Sequence, residues 1–195
     1  QLWNSVANDI IMVGTKNAPT LNFEKFVERF NSAKIKKDFQ RINLFSPFTF
    51  LSCQMISPRG FFALSKDYPI NSEIYPLLEF LAPKSFYVGS STTYLNNFDE
   101  RFDTLSNGLL VKSFVKKYPP TKDEIANTIE YSLNSTKNFR AAYGLSKYLL
   151  SLYPNDYKAN LLYSLAFEKT GLANTRKVPL ERLIKLYPDS LKNLY

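Results

Sequence analysis

Pro120, Pro154 and Pro188 stand 34 residues apart, inside the motifs KKYPPT (116–121), SLYPND (151–156) and KLYPDS (185–190). The residue before a proline avoids helical backbone angles, so each Tyr-Pro pair is a helix stop. Stops at this even spacing leave each interval room for a pair of helices of about three turns joined by a short turn. That rhythm restricts the C-terminal part of the chain to antiparallel helical hairpins.

The side chains between the stops follow the same plan. Thr121-Lys-Asp-Glu124 is a capping box, in which the Thr hydroxyl accepts an amide of the first turn and Glu124 reaches back to the Thr amide. After it, Ile125, Ile129 and Leu133 recur at four-residue spacing and define one buried face. A second helix is predicted through Phe139, Ala142, Leu145, Leu149 and Leu152, ending at Tyr153-Pro154. The next interval carries Leu162, Leu165, Ala166 and Phe167, a turn at Thr170-Gly171, and a helix holding Leu180, Leu183, Ile184 and Leu186. That last helix should start near Val178, because Pro179 is tolerated only in a first turn.

A 34-residue helix-turn-helix period closed by proline resembles the tetratricopeptide repeat over residues 121–188. Ser164, Phe167, Gly171, Leu180 and Leu183 match the family pattern in the second repeat, and Phe139 and Ala142 in the first. Arg176 stands where the family places a small residue, Lys137 where it places glycine and Leu149 where it places alanine. The alternative is an ordinary pair of helical hairpins with the same spacing. The resemblance implies a concave groove for a peptide or helix of another protein. Its groove-facing positions fall on Glu124, Asn127, Tyr131, Asn134 and Ser135, then on Lys158, Leu161, Leu165, Glu168 and Lys169. These do not reproduce the Lys/Asn clamp by which some relatives hold a C-terminal carboxylate.

Upstream the rhythm fails. SKDYP at 65–69 looks like another stop but lies fifty residues before Tyr118-Pro119, and APKSFYVGSSTT at 82–93 has the composition of an insertion. Tyr94, Phe98, Phe102 and Leu105 suggest a helix after it, and Leu109 to Val115 another. Leu2, Trp3, Val6 and Ile10 form one further helical face, and Phe23, Phe26, Val27 and Phe30 a second behind a cap at Asn22. Ser46-Pro47 opens a helix expected to run through Ile56 and to end at Pro58, with a buried strand over FTFLSCQMI as the alternative. The whole chain is therefore expected to be all-α. It divides into an irregular, mainly helical region at 1–105 and helical repeats at 106–195.

The functional classes narrow by what the side chains can do. With no His in 195 residues, the commonest proton carrier near neutral pH is missing. The single Cys53 cannot form an intrachain disulfide and suits a small buried hydrophobe. Ser113 and Lys116 match a Ser-x-x-Lys spacing, and Asp99, Glu100 and Asp103 could form an acid/base pair or hold a cation. The Ser-x-x-Lys spacing is expected by chance in a chain with many Ser and Lys, and the carboxylates are explained more simply as a solvated helix face. No catalytic set, metal site or cofactor is expected, and no apolar stretch is long enough to span a membrane.

Charge is uneven, at +5 over residues 1–66, −3 over 67–135 and +6 over 136–195. Lys34, Lys36, Lys37 and Arg41 form a basic patch. The leading expectation is a non-enzymatic protein interaction module, an adaptor or assembly factor with another protein in the repeat groove. Binding of nucleic acid or an anionic membrane surface by the basic ends is the alternative. The start at Gln1, together with the lack of disulfides, favours a bacterial periplasmic or cell-envelope setting over the cytoplasm.

Overall fold

The computed structural model describes residues 1–5, 9–16, 21–67, 69, 72–74, 76, 79, 81, 83–84, 87–88, 108–170 and 177–188. The expected helix through Tyr94, Phe98, Phe102 and Leu105 lies outside these residues, as do Val6, Asp99, Glu100, Asp103, Gly171 and Arg176. The described chain is mostly helical, with one small sheet of three strands. Among the described residues no helix is long and apolar enough to cross a membrane.

The sheet corrects the all-α expectation. Strands β1 (Leu2–Asn4), β2 (Ile10–Met12) and β3 (Gln54–Ile56) run antiparallel in the order β2-β1-β3. Leu2 and Ile10 were expected on one helix and instead lie on two strands. The stretch opened by Ser46-Pro47 is a helix only to Ser52, then turns at Cys53 and becomes β3. Burial explains both departures: Leu2, Met55 and Ile56 are each 2% exposed or less and pack together. Each such burial contributes about 1.5–3 kcal/mol, more than the few tenths that helix propensity assigns to these residues.

Four short helices accompany the sheet: α1 (Phe23–Phe30), α2 (Ala33–Gln40), α3 (Pro47–Ser52) and α4 (Pro58–Ser65). The Asn22, Ser46 and Ser57 side chains cap α1, α3 and α4 by accepting the Lys25, Thr49 and Gly60 amides. Pro58 opens α4 where it was expected only to close a helix. Phe26, Phe30, Phe39 and Phe50 pack ring against ring between α1, α2 and α3, and the Trp3 ring lies 5.3 Å from Phe50.

Among the described residues the later helices are α5 (Leu110–Lys117), α6 (Lys122–Asn134), α7 (Phe139–Leu152), α8 (Tyr157–Lys169) and α9 (Lys177–Leu186). The capping box at Thr121 is present, with both of its bonds made. α6 packs on α7, α7 on α8 and α8 on α9. Ala126, Ala142, Ala159 and Ala166 are all fully buried and let these helices approach closely, while Ile125, Ile129 and Leu149 fill the space between them. α3 is wedged between α5 and α6, where the Thr49 and Thr128 hydroxyls meet at 2.8 Å.

The proline stops are linked across the hairpins. Lys122 bonds Asp156, 34 residues on, and its ammonium lies 5.9 Å from the Tyr153 ring centre. One period later the Tyr187 ring meets Tyr157 edge-on at 5.1 Å and its hydroxyl donates to the Asn155 carbonyl. Tyr153 and Tyr187 therefore pack back over the start of the hairpin that each one ends, whereas Tyr118 stacks on Phe114 of its own helix. Lys137, at the family's glycine position, takes up the left-handed backbone that glycine favours, with φ 53°.

Polar contacts join the N-terminal region to the later helices. Gln54, fully buried, donates to Gln1 Oε1 and accepts the Leu110 amide at the start of α5, both at 2.7 Å. Asn138 caps α7 by accepting the Ala141 amide and donates to Asn4 Oδ1 across 134 residues of sequence. Lys117 on α5 pairs with Glu24 on α1 at 2.6 Å. The two sections of chain share one core.

Candidate functional site

The groove-facing positions separate into an internal half and an open half. On α6, Glu124 is committed to the capping box, holding the Thr121 amide at 3.0 Å. Asn127 and Asn134 are exposed, and Ser135 ends the helix half-buried. Tyr131, expected at the centre of an open groove, is 7% exposed and packs against Phe30, Leu44 and Cys53 of the N-terminal region. Burial pushes its phenol up to about 12, with Cys53 adding to the shift. The N-terminal region itself fills the middle of this face.

The α8 half is accessible. Lys158 pairs with Glu130 of α6 at 3.1 Å, Leu161 is half-buried, and Leu165 is 41% exposed beside exposed Glu168 and Lys169. Behind it Tyr143 of α7 stacks on Tyr163 of α8, with ring centres 5.7 Å apart. Burial, then the Tyr163 hydroxyl, raises the Tyr143 phenol to about 12. What α8 presents is a small apolar ridge with charge of both signs, supported by a packed aromatic pair.

The basic patch lies on a different surface. Lys34, Lys36 and Lys37 on α2 and Arg41 just after it are all exposed. Phe39 is the residue by which α2 holds on, stacked on Phe30 at 5.0 Å. Ser113 and Lys116 are both exposed on α5. Among the described residues, no group of three or more Cys, Asp or Glu converges on a possible metal site.

Two cavities could not be anticipated from local sequence, because each is walled by segments far apart in the chain. One of about 440 Å³ lies between α3, α5 and α7, lined by Phe48, Leu109, Val111, Val115 and Leu145 with Lys112 and Lys147 beside them. The Lys147 ammonium sits 4.9 Å from the Tyr143 ring centre. The other, of about 380 Å³, lies between β2 and the end of α2, lined by Trp3, Ile11, Val13, Phe39, Ile42 and Tyr131 among others. The indole N–H of Trp3 is buried without a hydrogen-bond partner among the described residues. No protein-family model, curated protein or solved structure matches this chain.

Proposed function

We propose that the chain is a non-enzymatic protein interaction module, a helical-repeat adaptor or assembly factor of tetratricopeptide type, with a partner segment held on the open α8 face. The observation that supports this reading is the 34-residue ladder expressed as repeated contacts. Lys122 reaches Asp156 one period on, and Tyr153 and Tyr187 each fold back over the first turn of their own hairpin. Stacked hairpins line a curved inner wall with the first helix of each pair, and such a wall suits an extended peptide or a helix. Because Tyr131 lies under the N-terminal region, the partner's contact centres on Leu161 and Leu165, with Glu168 and Lys169 at its edge. A bacterial cell-envelope setting goes with this reading as its proposed location.

A photo-crosslinking residue placed at Leu165 in the native source tests it. One discrete adduct, lost when Leu161→Glu is added, is the expected result, whereas a chain that stays monomeric with no adduct would overturn the assignment. A second reading rests on α2, whose four neighbouring cations are exposed and make no ion pair among the described residues. It assigns the chain to nucleic acid or an anionic membrane surface, with binding that weakens steeply as salt rises.

A further inference from the structure

The small sheet ends in β2 on a side that the α8 reading does not use. β2 is an outer strand in the order β2-β1-β3, and nothing pairs with its outer edge among the described residues. Its register shows which groups are open. Val13 exchanges bonds with Gln1, and the Ser5 amide donates to the Asp9 carbonyl, so Trp3 and Ile11 form the hydrogen-bonded pair between them. Ile10 and Met12 therefore turn their N–H and C=O groups outward.

The side chains around this edge are apolar and exposed, with Ile11 at 51%, Met12 at 67% and Val13 at 38%. Ile11 and Val13 border the 380 Å³ cavity, and Phe39 and Ile42 close it on the α2 side. Lys34, Lys36, Lys37 and Arg41 are exposed on or just after α2, the helix that carries Phe39, and Lys16 is exposed just after β2. The acids on these two segments are Asp9 and Asp38.

We infer that β2 accepts an extended acidic segment of a partner protein as a fourth strand, with alternate aliphatic side chains over the cavity and carboxylates toward the α2 cations. The outward amides and carbonyls at Ile10 and Met12 call for a partner with strand spacing, which neither a lipid surface nor a nucleic acid backbone supplies. A second copy of this chain would bring two basic α2 patches into proximity, which disfavours self-pairing.

The test uses the full chain and a fluorescent peptide of alternating Glu and Val or Ile, with a Lys-for-Glu version as control, titrated by anisotropy at low salt. The acidic peptide should bind, protect the Ile10 and Met12 amides from exchange, and outcompete the basic one. Met12→Pro removes one outward N–H and leaves the β1 ladder intact, so binding should fall about tenfold, the scale of one or two lost main-chain bonds. A peptide N-methylated at alternate residues should lose affinity likewise and tests the same bonds without touching the fold. Changing Lys34, Lys36 and Lys37 to Glu should abolish the preference for the acidic peptide, while Leu165→Glu on α8 should not alter it. Equal binding of the two peptides, binding of neither, full affinity of Met12→Pro and the N-methylated peptide, or binding to anionic vesicles alone would each overturn the inference.

Discussion

Gln54 ties the sheet to the start of α5. Its side chain is fully buried, and its amide joins the sheet to a helix start by giving one hydrogen bond to Gln1 and accepting one from Leu110. α5 has no side-chain cap of its own at Leu109, so Gln54 supplies from 56 residues away what a local Ser or Asp supplies elsewhere. Gln54→Met keeps the length and most of the volume but leaves the Leu110 N–H without an acceptor. A buried donor stripped of its partner costs about 1–3 kcal/mol, and the lost bond to the half-exposed Gln1 adds little. We expect a loss of about 2 kcal/mol in urea unfolding, with an unchanged slope. Gln54→Glu retains an acceptor at a helix N-terminus and should recover part of that loss. Native-state amide exchange at Leu110 should accelerate in the Met variant and not in the Glu variant. If Gln54→Met melts within about 0.5 kcal/mol of the parent, the typical scatter of an uninvolved site, the remote cap has no energetic role.

Other substitutions and conditions probe separate features. Tyr131→Ala opens a cavity among Phe30, Leu44 and Cys53 and should cost about 3 kcal/mol, while Tyr153→Ala, at a side chain 37% exposed, should cost about 1 kcal/mol; paired urea melts compare them. Lys137→Gly relieves a left-handed lysine and should stabilise by about 1 kcal/mol in the same assay, despite glycine's greater unfolded freedom. The phenols of Tyr131 and Tyr143 are raised to about 12 in the folded chain. Their contribution is complete below the ordinary tyrosine value near 10 and is lost as pH rises toward 12, so stability should fall across that window as phenolate absorbance appears. Asp156 both caps α8 and pairs with Lys122, which lowers its pKa. Asp156→Asn keeps the cap and loses only a partly exposed ion pair, so it should cost less than about 1 kcal/mol, and Asp156→Ala should lose about 1 kcal/mol more with the cap.

Local signals in the sequence located several helix ends, although α2 and α4 were not expected. Asn22, Ser46 and Thr121 cap as their positions imply, and the chain leaves α7 at Tyr153, just before Pro154. These features were legible because each is settled within four or five residues of backbone. The sheet was not. Leu2, Trp3 and Ile10 satisfy helical spacing as well as alternation, and β1 is a strand only because β3, some fifty residues later, offers it an apolar neighbour. Tyr131 shows the same limit at the candidate site. Its helix and its face follow from spacing, but what covers that face comes from Phe30, Leu44 and Cys53, and no local pattern reports such an encounter. Gln54 and Asn138 look like ordinary surface amides until their distant partners are known.

The bond between Asn4 and Asn138 sets an order on synthesis. A chain emerging from the ribosome exposes β1 early, yet the asparagine that completes its polar side is 134 residues away. At about 5–20 residues per second that delay is on the order of ten seconds, far longer than strand pairing takes. During that interval the phenylalanines of α1 to α3 also wait for Tyr131 to cover them. The N-terminal region is made well before α6 and α7 but finished only with them, so a nascent chain stalled between α5 and α6 presents an uncovered aromatic cluster to chaperones and to neighbouring chains.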